Sequence, residues 1–191
     1  MIKIKPKLYI LPGWGGRLTD PAYKKIVSFA RKGEFIPFKI STRNRKHALG
    51  GSKPLKWIVS DLQNQIIGDT STDMIIGFSI GALQAYLLAQ KLKFKKVILC
   101  SMSAVLGTDL RAYPRKRIHQ IFSAQHREMG RMKYAKLAST NVTLLFGEKE
   151  LDLLKERSMA IAKQNRVKAI EIKGADHELD SVYLKTLRKY I

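Results

Sequence analysis

The chain has 191 residues, 45% apolar and 27% charged, with 36 Lys and Arg against 15 Asp and Glu for a formal charge of +21. That length fits a single domain able to bury a sizeable core, and the composition excludes a disordered chain, a collagen and a disulfide scaffold. Cys100 is the single cysteine. It can close no internal disulfide, which suits a reducing compartment and makes the cytoplasm the expected location.

Short β-rich apolar runs alternate with longer amphipathic stretches along the whole chain. The first strand is predicted at 7–11; its apolar part is too short for a signal-peptide core, and no later run approaches the roughly 20 residues of a membrane span. Asp20 and Pro21 read as an N-cap and first-turn proline, opening a helix that stops at Gly33. A second strand is predicted at 34–40, and Leu55, Ile58, Val59, Leu62 and Ile66 then keep helical spacing on one face. A strand at 73–78, a helix at 81–91 and a strand at 96–101 follow. The stretch 107–139 is longer than a connection needs, and its Leu110, Ile118, Ile121, Phe122, Met129 and Leu137 predict a small helical cap over the sheet. Strands at 142–146 and 167–172 and helices at 151–164 and 179–190 complete the chain. The fold class expected is α/β: one domain over 1–191, with about six mostly parallel strands and helices on both faces.

Gly77-Phe78-Ser79-Ile80-Gly81 reads G-x-S-x-G where a strand ends and a helix begins. The motif's chemistry needs a sharp turn that exposes the Ser hydroxyl at the sheet's edge. Glycines stand two before and two after because side chains there would collide with the neighbouring strand and helix. A β-to-α turn that merely contains Ser is the competing reading, and the partners downstream weigh against it.

On these residues the sequence resembles the α/β-hydrolase superfamily over nearly its whole length, and looks like a small, single-domain serine hydrolase. In that family nucleophile, acid and histidine follow in this order, the acid after a later strand and the histidine after the last. Gly147-Glu148-Lys149-Glu150 resembles the acid loop, whose carboxylate stands three residues beyond the glycine, the position of Glu150. The family more often has Asp there, so Asp152 competes for the role and Glu148 is a third candidate. A solvated helix start would also account for these acids. The resemblance makes His177, after Lys173-Gly174-Ala175-Asp176, the general base. His47 lies in a basic loop, and His119 and His126 in the expected cap, where surface exposure explains each.

Leu11-Pro12-Gly13-Trp14-Gly15-Gly16 resembles the family's oxyanion loop, with Pro12 in place of the usual His. The working donor there is a backbone amide, so the resemblance implies that Trp14 N–H and Ile80 N–H face a developing oxyanion. A glycine-rich connection with a core Trp is the plainer alternative. Leu18 breaks G-x-G-x-x-G and no Walker sequence occurs, so nucleotide binding has little support. The four His and one Cys show no metal-ligand spacing. The implied reaction is hydrolysis of a carboxylic ester or thioester through an acyl-enzyme on Ser79, with no metal or cofactor.

The charge is unevenly spread. Residues 35–60 hold six Lys or Arg and no acid, and 107–139 hold eight against Asp109 and Glu128, so the two stretches carry +12 of the +21. Both follow strands, which in this topology puts Arg43, Arg45, Arg115 and Arg117 at the border of the site's mouth. A cationic mouth would concentrate an anionic acyl substrate or one carried by an acidic protein. A solubility surface is the simpler account. Basic runs interleaved with aromatics, the signature of nucleic-acid recognition, are missing. Two other classes compete with the enzyme: a hydrolase-like scaffold that only binds, and a binder of nucleic acid or anionic surfaces. The sequence leaves substrate identity and oligomeric state open.

Overall fold

In the first strand Leu8 and Ile10 face one side and Tyr9 and Leu11 the other, and all four are buried, as a strand covered on both faces requires. The computed structural model describes residues 5–13, 16–32, 35–39, 55–102 and 135–191. Within them lie β1 (Lys7–Leu11), α1 (Pro21–Lys32), β2 (Ile36–Lys39), α2 (Leu55–Asn64), β3 (Met74–Phe78) and α3 (Ile80–Ala89). β4 (Lys96–Cys100), β5 (Val142–Gly147), α4 (Asp152–Asn165), β6 (Lys168–Ile172) and α5 (Ser181–Leu187) follow. The six strands form one sheet in the order β2-β1-β3-β4-β5-β6, parallel at every pairing.

Strand alternation divides the interior into two cores. Tyr9, Leu11, Ile75, Val97, Leu99 and Leu144 pack under α2, α3 and α4, through residues such as Ile58, Leu83 and Ile161. Leu8, Ile10, Met74, Ile76, Ile98 and Leu145 pack under α1 and α5, against Ile26, Tyr183 and Leu187. Every residue of α3 is buried, so this helix is apolar all round rather than amphipathic.

The predicted elements stand in order, with ends moved by local hydrogen bonds. Phe35 N–H bonds to Ala30 O in the last turn of α1, and β2 starts only at Ile36. Asp180 caps α5 by accepting from Tyr183 N–H (2.7 Å), so that helix begins at Ser181 and gives way at Arg188 to a 3-10 turn. The Asp20 carboxylate, predicted as a cap of α1, turns back to Arg17 N–H (2.6 Å) and closes the turn before the helix. Of the expected cap, 107–134 lies outside the described residues. Its last part, 135–139, is not helical and runs along α3 and α4, tied by Ala138 N–H to Ala89 O (2.8 Å) and by Leu137 N–H to Asn165 Oδ1 (2.8 Å). Among the described residues no helix is long and apolar enough to cross a membrane, and no group of His, Cys, Asp and Glu could hold a metal ion.

Candidate active site

β1 connects to β2 on one side while its other neighbour is β3, so the chain changes direction across the sheet between β1 and β3. Open parallel sheets form a crevice at such a point, beyond the strands' carboxyl ends. Ser79 stands there, between β3 and α3, with φ 54 and ψ −117. Its N–H bonds to Cys100 O (2.9 Å) and its carbonyl accepts from Ala82 and Leu83 N–H, so the turn is pinned on both sides.

The flanking glycines are demanded by contact distances. A Cβ on Gly77 would lie 2.2 Å from Gly81 O, and one on Gly81 would lie 2.1 Å from Leu11 O, far inside van der Waals contact with backbone that cannot swing away. Strand, helix and the end of β1 therefore interlock only because both positions lack side chains. Beyond β1, Gly13 N–H donates to the Tyr23 hydroxyl (2.8 Å) and Gly16 N–H to Gly13 O (3.0 Å). Burial pushes the Tyr23 phenol up to about 12, keeping it a neutral anchor for this loop.

His177 arrives from the loop after β6. That loop is fastened to the one after β5 by Glu148 N–H to Ile172 O (3.0 Å), Lys149 N–H to Ala175 O (2.9 Å) and Gly174 N–H to Glu148 Oε2 (2.8 Å). The two loops approach so closely that a Cβ on Gly147 would lie 2.5 Å from Ala175 O. The result sets His177 Nε2 3.0 Å from Ser79 Oγ and His177 Nδ1 3.4 Å from Glu150 Oε2. The Phe78 ring lies beside the imidazole, centroids 5.5 Å apart, and edge-on to Tyr183 at 6.0 Å.

The three carboxylates considered from the sequence separate clearly. The Glu150 side chain is fully buried and its Oε1 accepts from Gly147 N–H (2.8 Å) and from the Ser101 hydroxyl. Asp152 opens α4 with its side chain 87% exposed and pairs with Lys155 (3.1 Å), so it is not brought to the imidazole. Glu148 is engaged in holding the His177 loop. Ile80 begins α3, where backbone N–H groups have no partner within the helix. Trp14, Arg43, Arg45, Arg115 and Arg117 lie outside the described residues, as do His47, His119 and His126.

Sequence reasoning did not single out Ser101, Tyr183 or Tyr23. Tyr183 shares helical spacing with Leu184 and Leu187 and reads as core, which it is; its hydroxyl also lies 3.0 Å from Ser101 Oγ and donates to Leu145 O (2.9 Å). Burial raises the Tyr183 phenol and the Cys100 thiol well above their ordinary values, so both stay neutral beside Glu150.

No protein-family model matches the sequence, and no curated protein shows significant similarity to it. Solved structures do match in three dimensions. Est1E from Butyrivibrio proteoclasticus superposes with a TM-score of 0.73 at 14% identity, covering 97% of this chain and 85% of that one. Alpha/beta hydrolase domain-containing protein 10 from mouse gives 0.72 at 16%, covering 97% and 87%, and ClbQ from the colibactin NRPS/PKS pathway 0.65 at 16%, covering 98% and 95%. The chain has the α/β-hydrolase fold. In this α/β-hydrolase fold the ends of β1, β3, β5 and β6 bring the Gly13 loop, Ser79, Glu150 and His177 to one edge of the sheet.

Proposed function

We propose that the protein is a serine hydrolase that cleaves a carboxylic ester or thioester through Ser79, His177 and Glu150. The observation that carries this reading is the unbroken line from Ser79 Oγ through both imidazole nitrogens to a buried carboxylate, at 3.0 and 3.4 Å. Such contacts are commonly long before substrate binds and tighten in the complex.

In this mechanism His177 Nε2 takes the Ser79 proton as Oγ attacks the substrate carbonyl carbon. Glu150 accepts from Nδ1–H, fixing the tautomer and stabilising the imidazolium. The Ile80 N–H, with Trp14 N–H in the partner role, would hold the oxyanion, the interaction that grows most as the tetrahedral centre forms. The imidazolium then protonates the leaving alcohol or thiol, and water deprotonated by the same nitrogen releases the acid from Ser79. No step calls for a metal or cofactor. The neighbour Est1E has been solved with ferulic acid bound, which suits a carboxylic acid product here as well.

A fluorophosphonate probe tests the reading. It should label the wild type and neither Ser79→Ala nor His177→Ala, and small activated esters should be turned over in parallel. A folded wild type with neither labelling nor turnover across short and medium acyl chains would leave a binding scaffold instead. The same assay examines the basic mouth attributed to Arg43, Arg45, Arg115 and Arg117. If it steers substrate, kcat/KM for an anionic ester should fall as salt rises toward about 0.15 M, where the Debye length is about 8 Å, and a neutral ester should respond little. Equal responses would return the charge to a general surface property.

A further inference from the structure

Ser101 follows β4 with φ 46, in the left-handed region that favours glycine, and its side chain has no solvent exposure. Its N–H is fixed on Leu145 O (2.7 Å). A hydroxyl has one proton to give, and an ionised carboxylate can only accept. The Tyr183 proton goes to Leu145 O, so the Ser101 proton goes to Glu150 Oε1. With Gly147 N–H on the same oxygen, Oε1 is held by two donors and Oε2 is the oxygen turned to His177. Among the described residues, the titratable groups around Glu150 include His177 with Asp176 beside it, Tyr183 on α5, Cys100 on β4, and Glu148 and Lys149 on its own loop. Of these, Tyr183 and Cys100 stay neutral.

We propose that Ser101 is a positioning residue for Glu150: its strained backbone aims a buried hydroxyl at Oε1, orienting the carboxylate so that Oε2 meets His177. This rests on the Ser79–His177–Glu150 reading and deepens it. Loss of the hydroxyl lets the carboxylate turn away from Nδ1, so the imidazolium loses part of its counter-charge and the ring gives up its proton at lower pH.

Two variants isolate the hydroxyl. Ser101→Gly suits the positive φ but loses the Cβ, and Ser101→Ala keeps the Cβ at a strained φ; only the missing hydroxyl is common to both. The primary readout is NMR titration of the His177 ring in the free protein, which does not depend on turnover. Both variants should shift the titration of the His177 ring downward by about half a pH unit or more. The acid limb of kcat/KM should move the same way, with kcat reduced about tenfold and KM within about twofold. An unchanged titration in a folded variant overturns the proposal, as does a shift in only one variant, which would assign it to the backbone. Failure of both variants to fold overturns it too, by assigning Ser101 to the core alone. If the wild type neither labels nor turns over esters, the triad reading fails, while the titration still decides whether Ser101 acts on the Glu150–His177 pair.

Discussion

Ser79 leaves β3 at φ 54 and Ser101 leaves β4 at φ 46, and because Phe78 pairs with Cys100 in the sheet register the two serines occupy equivalent positions on neighbouring strands. One hydroxyl faces the histidine across the crevice. The other is sealed beneath the acid loop. What separates them is what packs against each: Ser79 runs at once into α3 and its hydroxyl meets His177, whereas Glu150 and Tyr183 close over Ser101. The same strand-end geometry thus presents one hydroxyl to the imidazole and the other to the carboxylate.

The largest effect should come from Ser79, the member of the pair that meets the histidine. Ser79→Ala should lower ester turnover by about a million-fold with an unchanged urea midpoint, since it removes the proposed nucleophile and leaves the elbow's backbone as it was. A loss below about a hundred-fold, read from kcat on a preparation free of contaminating esterase, would mean that Ser79 does not attack the substrate.

Glu150→Gln should follow, with a loss of about ten-thousand-fold, because an amide can present its NH2 to Nδ1 and favour the wrong tautomer. Asp152→Asn should stay within about twofold, since Asp152 is largely exposed and its pair with Lys155 is worth little. Comparable losses in the two variants would show that neither carboxylate orients His177 in solution.

Much of this site could be read before the fold was known. The six strands follow from apolar runs bounded by turn residues, and Ser79 and Glu150 from glycines at fixed distances. Those glycines leave a trace in sequence because the backbone contacts at Gly77, Gly81 and Gly147 tolerate no Cβ. Ser101 leaves no such trace. Its positive φ is imposed by long-range partners, Leu145, Glu150 and Tyr183, that lie 44 to 82 residues away. Local spacing favours Glu150 and leaves Asp152 as a rival, since the two stand on opposite sides of a helix start and only tertiary structure buries one of them.

The glycine contacts sharpen the comparison at the level of folding. Gly81→Ala should lower stability by about 3 to 5 kcal/mol, measured by urea denaturation, because its methyl would meet the Leu11 carbonyl and force β1 and α3 apart. Gly174→Ala, also in a loop that positions the site, meets no atom within 4 Å and is penalised only by its φ of 78, so it should cost about 1 kcal/mol. Similar costs at the two positions would deny that close packing is what the elbow's glycine provides.

An effect smaller than that of Gly81→Ala concerns the tyrosines that anchor each serine's surroundings, Tyr23 under the Gly13 loop and Tyr183 under Ser101. Burial raises both phenols, to about 12 for Tyr23, whereas an unfolded tyrosine ionises near 10. The folded state therefore favours the neutral form. The associated stability is complete below about pH 10 and is lost as pH rises toward the folded value. For Tyr23 the loss between pH 10 and 12 should be about 2 to 3 kcal/mol. Tyr23→Phe cannot ionise, so its urea midpoint should decline less steeply over that range, even though it starts about 1 to 2 kcal/mol lower at pH 7 with Gly13 N–H unpaired. Tyr183→Phe should flatten the same alkaline slope while leaving the Gly13 loop bonded. A slope that is unchanged in Tyr23→Phe would show that its phenol reaches solvent, and the loop beside Ser79 would then lack the buried anchor that Ser101 has.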